Sequence, residues 1–264
     1  MSDPGVAVVI EDDLDVRNLL EGVLSQAGFR VHTAPDGVHG VQAVRDSNPD
    51  IVTLDVGLPD VDGFEVLRRL RHFSDAYVVM LTGRTEEADL LTALQGGADD
   101  YITKPIRPRE VRARITAMMR RPRRSASDEH QGPTTPQPAI AAQQSIKALR
   151  PDHFMRYNGL ILDAEKRTVT LEGEPLDLTR SEFDILHELL RGPGAVLARA
   201  QLVRVIRGQY YAEDTYVSKS DERAVEVHIG NLRRKLRDDP ESPRWLQTVR
   251  GVGYRIVTNS KPAS

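Results

Sequence analysis

The amino-acid sequence predicts an α/β domain with a doubly wound, five-stranded parallel sheet over residues 1–120, a flexible linker over 121–152, and a smaller α+β domain over 153–260. Three observations carry this. Before residue 120, short runs rich in Val and Ile alternate five times with segments of helical periodicity. Residues 121–152 break that rhythm with Arg121-Pro122-Arg123-Arg124, then Gly132-Pro133-Thr134-Thr135-Pro136-Gln137-Pro138, then an Ala/Gln stretch. Beyond them come short strands, three helices and a terminal hairpin, with no internal repeat.

The first strand is Val6–Ile10. Val16, Leu19, Leu20, Val23, Leu24 and Ala27 then form one apolar face of a helix, which Asp13 or Asp15 can cap and Gly28 can end. A strand follows over 29–34, and then a helix from about Val38 that ends before Pro49. Ile51-Val52-Thr53-Leu54 is unbroken and β-branched, as expected of a strand buried on both faces, and it runs into Asp55. Pro59 and Asp62-Gly63 mark the loop after it, and a helix runs over about 64–71. A strand over 77–82, a helix over 86–95 with Thr85 as its N-cap, a short strand over 101–103 and a helix over 107–120 complete the alternation. In the second half, strands are expected over 157–162, 168–171 and 175–178. Thr179-Arg180-Ser181-Glu182 is a capping-box pattern opening a helix with Phe183, Ile185, Leu186, Leu189 and Leu190. A second helix covers about 199–206. After a polar stretch over 209–221, a third carries Val225, Ile229, Leu232 and Leu236 on one face. Residues 245–257 read as a hairpin with a basic, Gly-rich tip. Three helices closed by such a hairpin describe a winged helix-turn-helix.

Composition sets limits on the chemistry. The 264 residues include no cysteine, which excludes disulfides, thiolate metal sites and a cysteine nucleophile. No apolar stretch approaches the roughly 18 residues that span a bilayer. The basic region of a secretory leader is missing before the first apolar run, so a cytoplasmic location is expected. The net charge of −3 is uneven: residues 1–120 carry 13 Lys+Arg against 20 Asp+Glu, whereas residues 121–150 carry 5 against 2. An acidic first half and a neutral-to-basic remainder point to different partners.

The chemistry centres on Asp55. A carboxylate at the C-terminal end of a buried parallel strand lies where open α/β sheets place their ligands. Glu11 and Asp12 end the first strand, so neighbouring strands would bring three carboxylates to one sheet edge. A hard divalent cation, Mg²⁺ for a set of carboxylate and water ligands, would neutralise them. Thr82 and Lys104 end two further strands. Together these groups suit phosphoryl transfer to an aspartate: Asp55 attacks phosphorus, the acidic pair holds the cation, and Thr82 and Lys104 bind the remaining oxygens. Singly, each residue has a plainer explanation as a turn cap or loop residue; four at matching strand ends make coincidence a poor account.

These residues resemble the receiver domain of two-component response regulators, a flavodoxin/CheY-like fold. The resemblance lies in Val9-Ile10-Glu11-Asp12-Asp13, in Leu54-Asp55 with Leu58-Pro59 and Asp62-Gly63, in Leu81-Thr82-Gly83, and in residues 97–105 from Gly97 to Lys104-Pro105. It covers residues 6–120. It implies that Asp55 is the phosphoacceptor, that Glu11, Asp12, Asp55 and the Gly57 backbone carbonyl hold Mg²⁺, that Thr82 is a switch hydroxyl, and that the Tyr101 ring turns inward with it. Gly57 departs from the family pattern, where a larger residue is usual, and Gly83 stands where Ala is common. Gly57 bears on the lifetime of the phosphoryl group, and Gly83 on the looseness of the switch loop.

The third helix of the second half offers Arg223, His228, Asn231, Arg233, Arg234 and Lys235. Arg and Lys suit phosphates and guanine edges, and Asn suits adenine. Thr248 and Arg250 on the hairpin suit backbone or minor groove. His228 has two readings, helix packing or phosphate contact, and Trp245 reads as core. On its own the Arg/Lys run reads better as a solvated basic face. Leu178–Leu186, Val225–Ile229 with Leu232–Leu236, and Thr248–Arg255 are, however, similar to the winged-helix effector domain of the OmpR/PhoB class over about 154–258. The segment Gln209–Glu222 is longer than the family's usual loop, which contacts RNA polymerase.

The resemblance implies a transcription factor rather than an enzyme. It would take phosphoryl from a sensor histidine kinase, form a homodimer, and bind double-stranded DNA at tandem half-sites. The family pairs receivers through ion pairs; Asp99, Asp100, Glu110 and Arg114 fit that pattern. Leu90, Gln95 and Thr116 stand where charged partners are usual, so Leu90 is expected to make the contact more apolar. Two rival readings remain. An aspartyl-phosphate phosphohydrolase would need an acid/base where Gly57 stands. A regulator that binds DNA unphosphorylated would use the first domain only for protein contacts.

Overall fold

The computed structural model describes residues 5–83, 87–119, 154–207 and 217–258; the side chains of 87–90 and 116–119 lie outside that description. Five strands, β1 (Val6–Ile10), β2 (Arg30–Ala34), β3 (Ile51–Asp55), β4 (Tyr77–Thr82) and β5 (Asp100–Thr103), pair in parallel in the order β2-β1-β3-β4-β5. Five helices alternate with them: α1 (Leu14–Gln26), α2 (Gly37–Ser47), α3 (Gly63–Arg71), α4 (Glu87–Gln95) and α5 (Pro108–Met119). Parallel strands need crossovers, and helices laid on both faces bury β1, β3 and β4 along their whole length. One face packs on Leu20, Leu24, Val111 and Ile115; the other packs on Val44, Val66, Leu67, Leu70 and Leu94. Each of the larger of these side chains contributes about 1.5–3 kcal/mol by leaving water.

The expected cap of α1 appears. Asp13 accepts from the amides of Asp15 and Val16 to start α1. Asp62 caps α3. Gly63 is required, because a Cβ there would collide with the Asp55 carbonyl oxygen; the chain doubles back directly onto the backbone of the strand end. The proposed Thr85 cap lies outside the described residues.

By contacts the chain divides into two units, Pro122–Asp177 and the remainder. The smaller unit carries an antiparallel sheet of β6 (Phe154–Tyr157), β7 (Leu160–Asp163), β8 (Thr168–Leu171) and β9 (Glu174–Pro175). The sequence placed these strands with the helices in one domain over 153–260, whereas the division by contacts falls at Leu178. The larger unit continues with α6 (Arg180–Arg191), β10 (Leu197–Ala198), α7 (Arg199–Arg207), α8 (Lys219–Leu236), β11 (Leu246–Val249) and β12 (Gly253–Ile256). The last strands form a sheet in the order β10-β12-β11. Thr179 and Glu182 make the predicted capping box at α6, and Ser218 with Asp221 makes a second at α8. Trp245 is buried, as expected, with the Arg244 guanidinium 4.3 Å from its ring centre.

Candidate functional site

The strand order places β1 and β3 side by side, so Glu11, Asp12 and Asp55 meet at one sheet edge. Their nearest carboxylate oxygens all lie within 4.8 Å of one another. Glu11 and Asp55 are buried, and Asp12 is exposed. Lys104, carried just past β5, reaches both buried carboxylates: Nζ lies 2.9 Å from Glu11 Oε1 and 3.1 Å from Asp55 Oδ2. Burial pushes the Glu11 carboxyl above its usual range and the Asp55 charge adds to this, while Lys104 pulls against both. Burial alone would lower the Lys104 ammonium, but its two carboxylate partners more than offset that and hold it above its ordinary value. Glu11 Oε2 is buried with no hydrogen-bond partner. A second cation beside Lys104 would complete its coordination, so the residues present fit a divalent ion.

A cleft of about 450 Å³ opens beside Asp55, lined by Gly57, Thr82, Gly83, Lys104 and the 58–62 loop. Thr82 is buried at the end of β4, and its carbonyl accepts from the Lys104 amide at 2.7 Å. Neither Gly57 nor Gly83 is forced by sterics: a Cβ at Gly57 meets only Asp55 Oδ2 at 3.7 Å, and at Gly83 it meets nothing. The two glycines leave the rim of the cleft low. Tyr101 is buried in the apolar cluster that contains Leu94 and Ala98.

That cluster also takes in Ala224 and Val227 of α8, which packs along α4. The residues expected to read DNA are therefore placed differently from one another. Arg223, Arg234, Thr248 and Arg250 are exposed. Asn231 is buried; its amide nitrogen donates to the Leu94 carbonyl at 3.0 Å, and its oxygen accepts from Arg234 Nη2 at 3.3 Å. His228 is buried, beside the Asp99 backbone, with neither ring nitrogen in hydrogen-bond geometry, which is the packing reading of that residue. Arg233 Nη2 donates to the Leu246 carbonyl at 2.9 Å and to the Thr248 hydroxyl at 2.7 Å. Lys235 pairs with the buried Glu182 at 2.6 Å.

The residues expected between two copies are engaged within this one. Asp99 pairs with Arg71 at 2.7 Å and accepts from the amides of Val78 and Ser181, both at 3.0 Å. Asp100 pairs with Arg114 at 2.6 Å, and Arg114 also holds Glu110 at 2.7 Å. On its other oxygen Asp100 meets Arg207 Nη2 at 3.2 Å, and the same nitrogen pairs with Asp221 at 2.7 Å. Burial would raise the Asp100 carboxyl, but the Arg114 and Arg207 guanidiniums hold it below its usual range. The Leu90 side chain lies outside the described residues. The sequence did not single out Arg207, whose only local signal is a charge at the end of an apolar helix.

Residues 7–116 match the response regulator receiver domain family, and residues 173–256 match the C-terminal domain of transcriptional regulatory proteins. The transcriptional regulatory protein AfsQ1 of Streptomyces coelicolor is 37% identical over 249 residues, which covers 94% of this chain and 96% of that one. The chain belongs to the OmpR/PhoB class of DNA-binding response regulators. A second relative of this regulator, the DNA-binding response regulator MtrA of Mycolicibacterium smegmatis, is 36% identical over 248 residues, covering 94% of this chain and 95% of its own. Among solved structures, a mutant of RitR aligns with a TM-score of 0.67 at 25% identity, covering 96% of this regulator and 99% of that chain. Among the described residues of the regulator, no helix is long and apolar enough to cross a membrane.

Proposed function

We propose that this regulator accepts a phosphoryl group on Asp55 from a sensor histidine kinase in the cytoplasm and that the modification frees α8 for DNA. The observation that carries the reading is the meeting of Glu11, Asp12, Asp55 and Lys104 at one sheet edge beside an open cleft. Glu11, Asp12, Asp55 and the Gly57 carbonyl are the groups that would hold Mg²⁺, which when bound neutralises charge on the transferring phosphoryl group. An Asp55 oxygen attacks phosphorus, and the bond from phosphorus to the donor's imidazole nitrogen breaks. Lys104 moves its ammonium from carboxylate to phosphoryl oxygen, and the Thr82 hydroxyl takes a second oxygen. Gly57 offers no carboxylate for hydrolysis, which argues against a phosphohydrolase.

The placement of α8 supports a regulatory coupling. Asn231 cannot read a base while its amide serves Leu94, and α8 cannot enter a major groove while α4 lies along it. This favours phosphorylation-controlled binding over a regulator that binds DNA equally well unmodified. Release takes Ser181 from Asp99 and Arg207 from Asp100, which leaves these two, with Glu110 and Arg114 beside them, to face a second receiver; two winged helices meet tandem half-sites on duplex DNA, and RNA polymerase is the further partner. Intact mass tests the acceptor. Acetyl phosphate with Mg²⁺ adds one phosphoryl group to the wild-type chain and none to Asp55→Asn; equal labelling of both would sink the assignment.

A further inference from the structure

We propose that Arg17 and Asp60 are positioning residues that brace the two halves of the acidic pocket, a role that rests on reading that pocket as the cation and phosphoacceptor site. Arg17 sits at the end of the first turn of α1. Its Nη1 donates to the carbonyl oxygens of both Glu11, at 2.7 Å, and Asp12, at 3.1 Å. It grips the main chain of the two acidic residues and leaves their carboxylates to face the pocket. A guanidinium is always charged, and its donors are fixed in a plane, so one such contact orients two successive peptide groups.

Asp60 does the same on the other side. It lies in the middle of the loop from Val56 to Asp62 that carries Gly57. Its Oδ1 accepts from the Gly37 amide at 2.8 Å, and its Oδ2 accepts from the Val38 amide at 2.9 Å. These are the first two amides of α2, which helix geometry leaves unpaired and which favour negative charge. The start of α2 is tied to the first half as well, since the Glu11 amide donates to the Ala34 carbonyl at 3.1 Å. Residues 34–38 thus anchor both the loop that carries Glu11 and the loop that carries Gly57. Arg17 stands outside the cleft lining, and Asp60 lines it with both carboxylate oxygens already taken by the α2 amides, so both act through the backbone.

Arg17 separates bracing from simple charge. Removing the cation held on the main chain of Glu11 and Asp12 leaves the pocket more negative, which by charge alone would tighten a divalent ion. Losing a brace would loosen it. The probe is Mn²⁺, with the free ion counted by electron paramagnetic resonance in the unphosphorylated full-length chain. Outer contacts that orient ligands typically change metal affinity 10–100-fold, so Arg17→Gln is expected to weaken Mn²⁺ by about tenfold, with Arg17→Lys between it and wild type. Asp60→Ala is expected to weaken it as well, and Asp60→Asn, which keeps one acceptor, by less. Labelling by acetyl phosphate at saturating Mg²⁺ should recover in all four, which distinguishes a lost brace from a misfolded site. Wild-type or tighter Mn²⁺ binding in Arg17→Gln overturns the brace. A wild-type chain that binds no Mn²⁺ overturns the cation reading itself and the brace with it. If Arg17→Gln melts early, the ordering of Arg17→Lys and the two Asp60 variants decides.

Discussion

Replacing Arg207 with methionine should release α8 without any phosphoryl group. Arg207 Nη2 makes two buried ion pairs, with Asp221 at 2.7 Å and with Asp100 at 3.2 Å. The first joins α7 to α8 and is lost equally whether α8 is docked on the receiver or free. Only the second belongs to the docked form alone, so only it changes the balance between the two. Breaking a buried pair can cost about 3–5 kcal/mol when it strands a charge. Here Asp100 keeps Arg114 at 2.6 Å, so the expected loss is that of one charge-assisted hydrogen bond, about 1.5–3 kcal/mol. If the docked form predominates, apparent DNA affinity is set by the small undocked fraction, and this shift raises it by about ten- to a hundredfold. Fluorescence anisotropy on a single half-site duplex avoids any contribution from receiver pairing. The unmodified Arg207→Met chain should bind far more tightly than the unmodified wild type, and activation should add little further. Unchanged affinity, or a variant that depends more strongly on activation, would refute the reasoning.

Other outcomes follow from the same contacts. Burial pushes the His228 imidazole below its ordinary 6.5, against the pull of Glu182, Asp99 and Asp100, which are themselves paired with Lys235, with Arg71, and with Arg114 and Arg207. The docked form therefore binds fewer protons than the free one, so docking is strongest above 6.5 and weakens as pH falls through and below that value. DNA affinity of the unmodified chain should rise between about pH 7.5 and about pH 5.5 more steeply in wild type than in His228→Gln; parallel profiles would contradict this. Arg250 is exposed at the tip between β11 and β12. Its replacement by alanine should weaken binding uniformly across sequences and lower the slope of log affinity against log salt by about one unit; an unchanged slope would remove the hairpin from the DNA contact.

The meeting of the polar strand ends was legible because its signals are local. Glu11, Asp55, Thr82 and Lys104 each end an apolar run, and a parallel sheet brings strand ends together whatever the details of packing. Thr179 and Glu182 were legible for the same reason, since a capping box spans four residues. The Ser218–Asp221 box has that spacing too, but it lay within the polar stretch assigned to a loop. The docking of α8 was not legible. The Arg207–Asp100 pair spans 107 positions and the Asn231–Leu94 bond spans 137, and neither leaves a periodic trace. Asp99 and Asp100 show a further limit. Their chemistry calls for cationic and amide partners, and a second copy or the chain's own Arg71, Ser181 and Arg207 satisfy it equally.

The central claim is that modification of Asp55 controls access to α8. Its most direct test is DNA affinity measured on one operator for wild type and Asp55→Asn, each with and without acetyl phosphate and Mg²⁺. Tighter binding by wild type on activation, with Asp55→Asn held at the unmodified level in both conditions, is the predicted result. Equal affinity in all four samples would contradict the account.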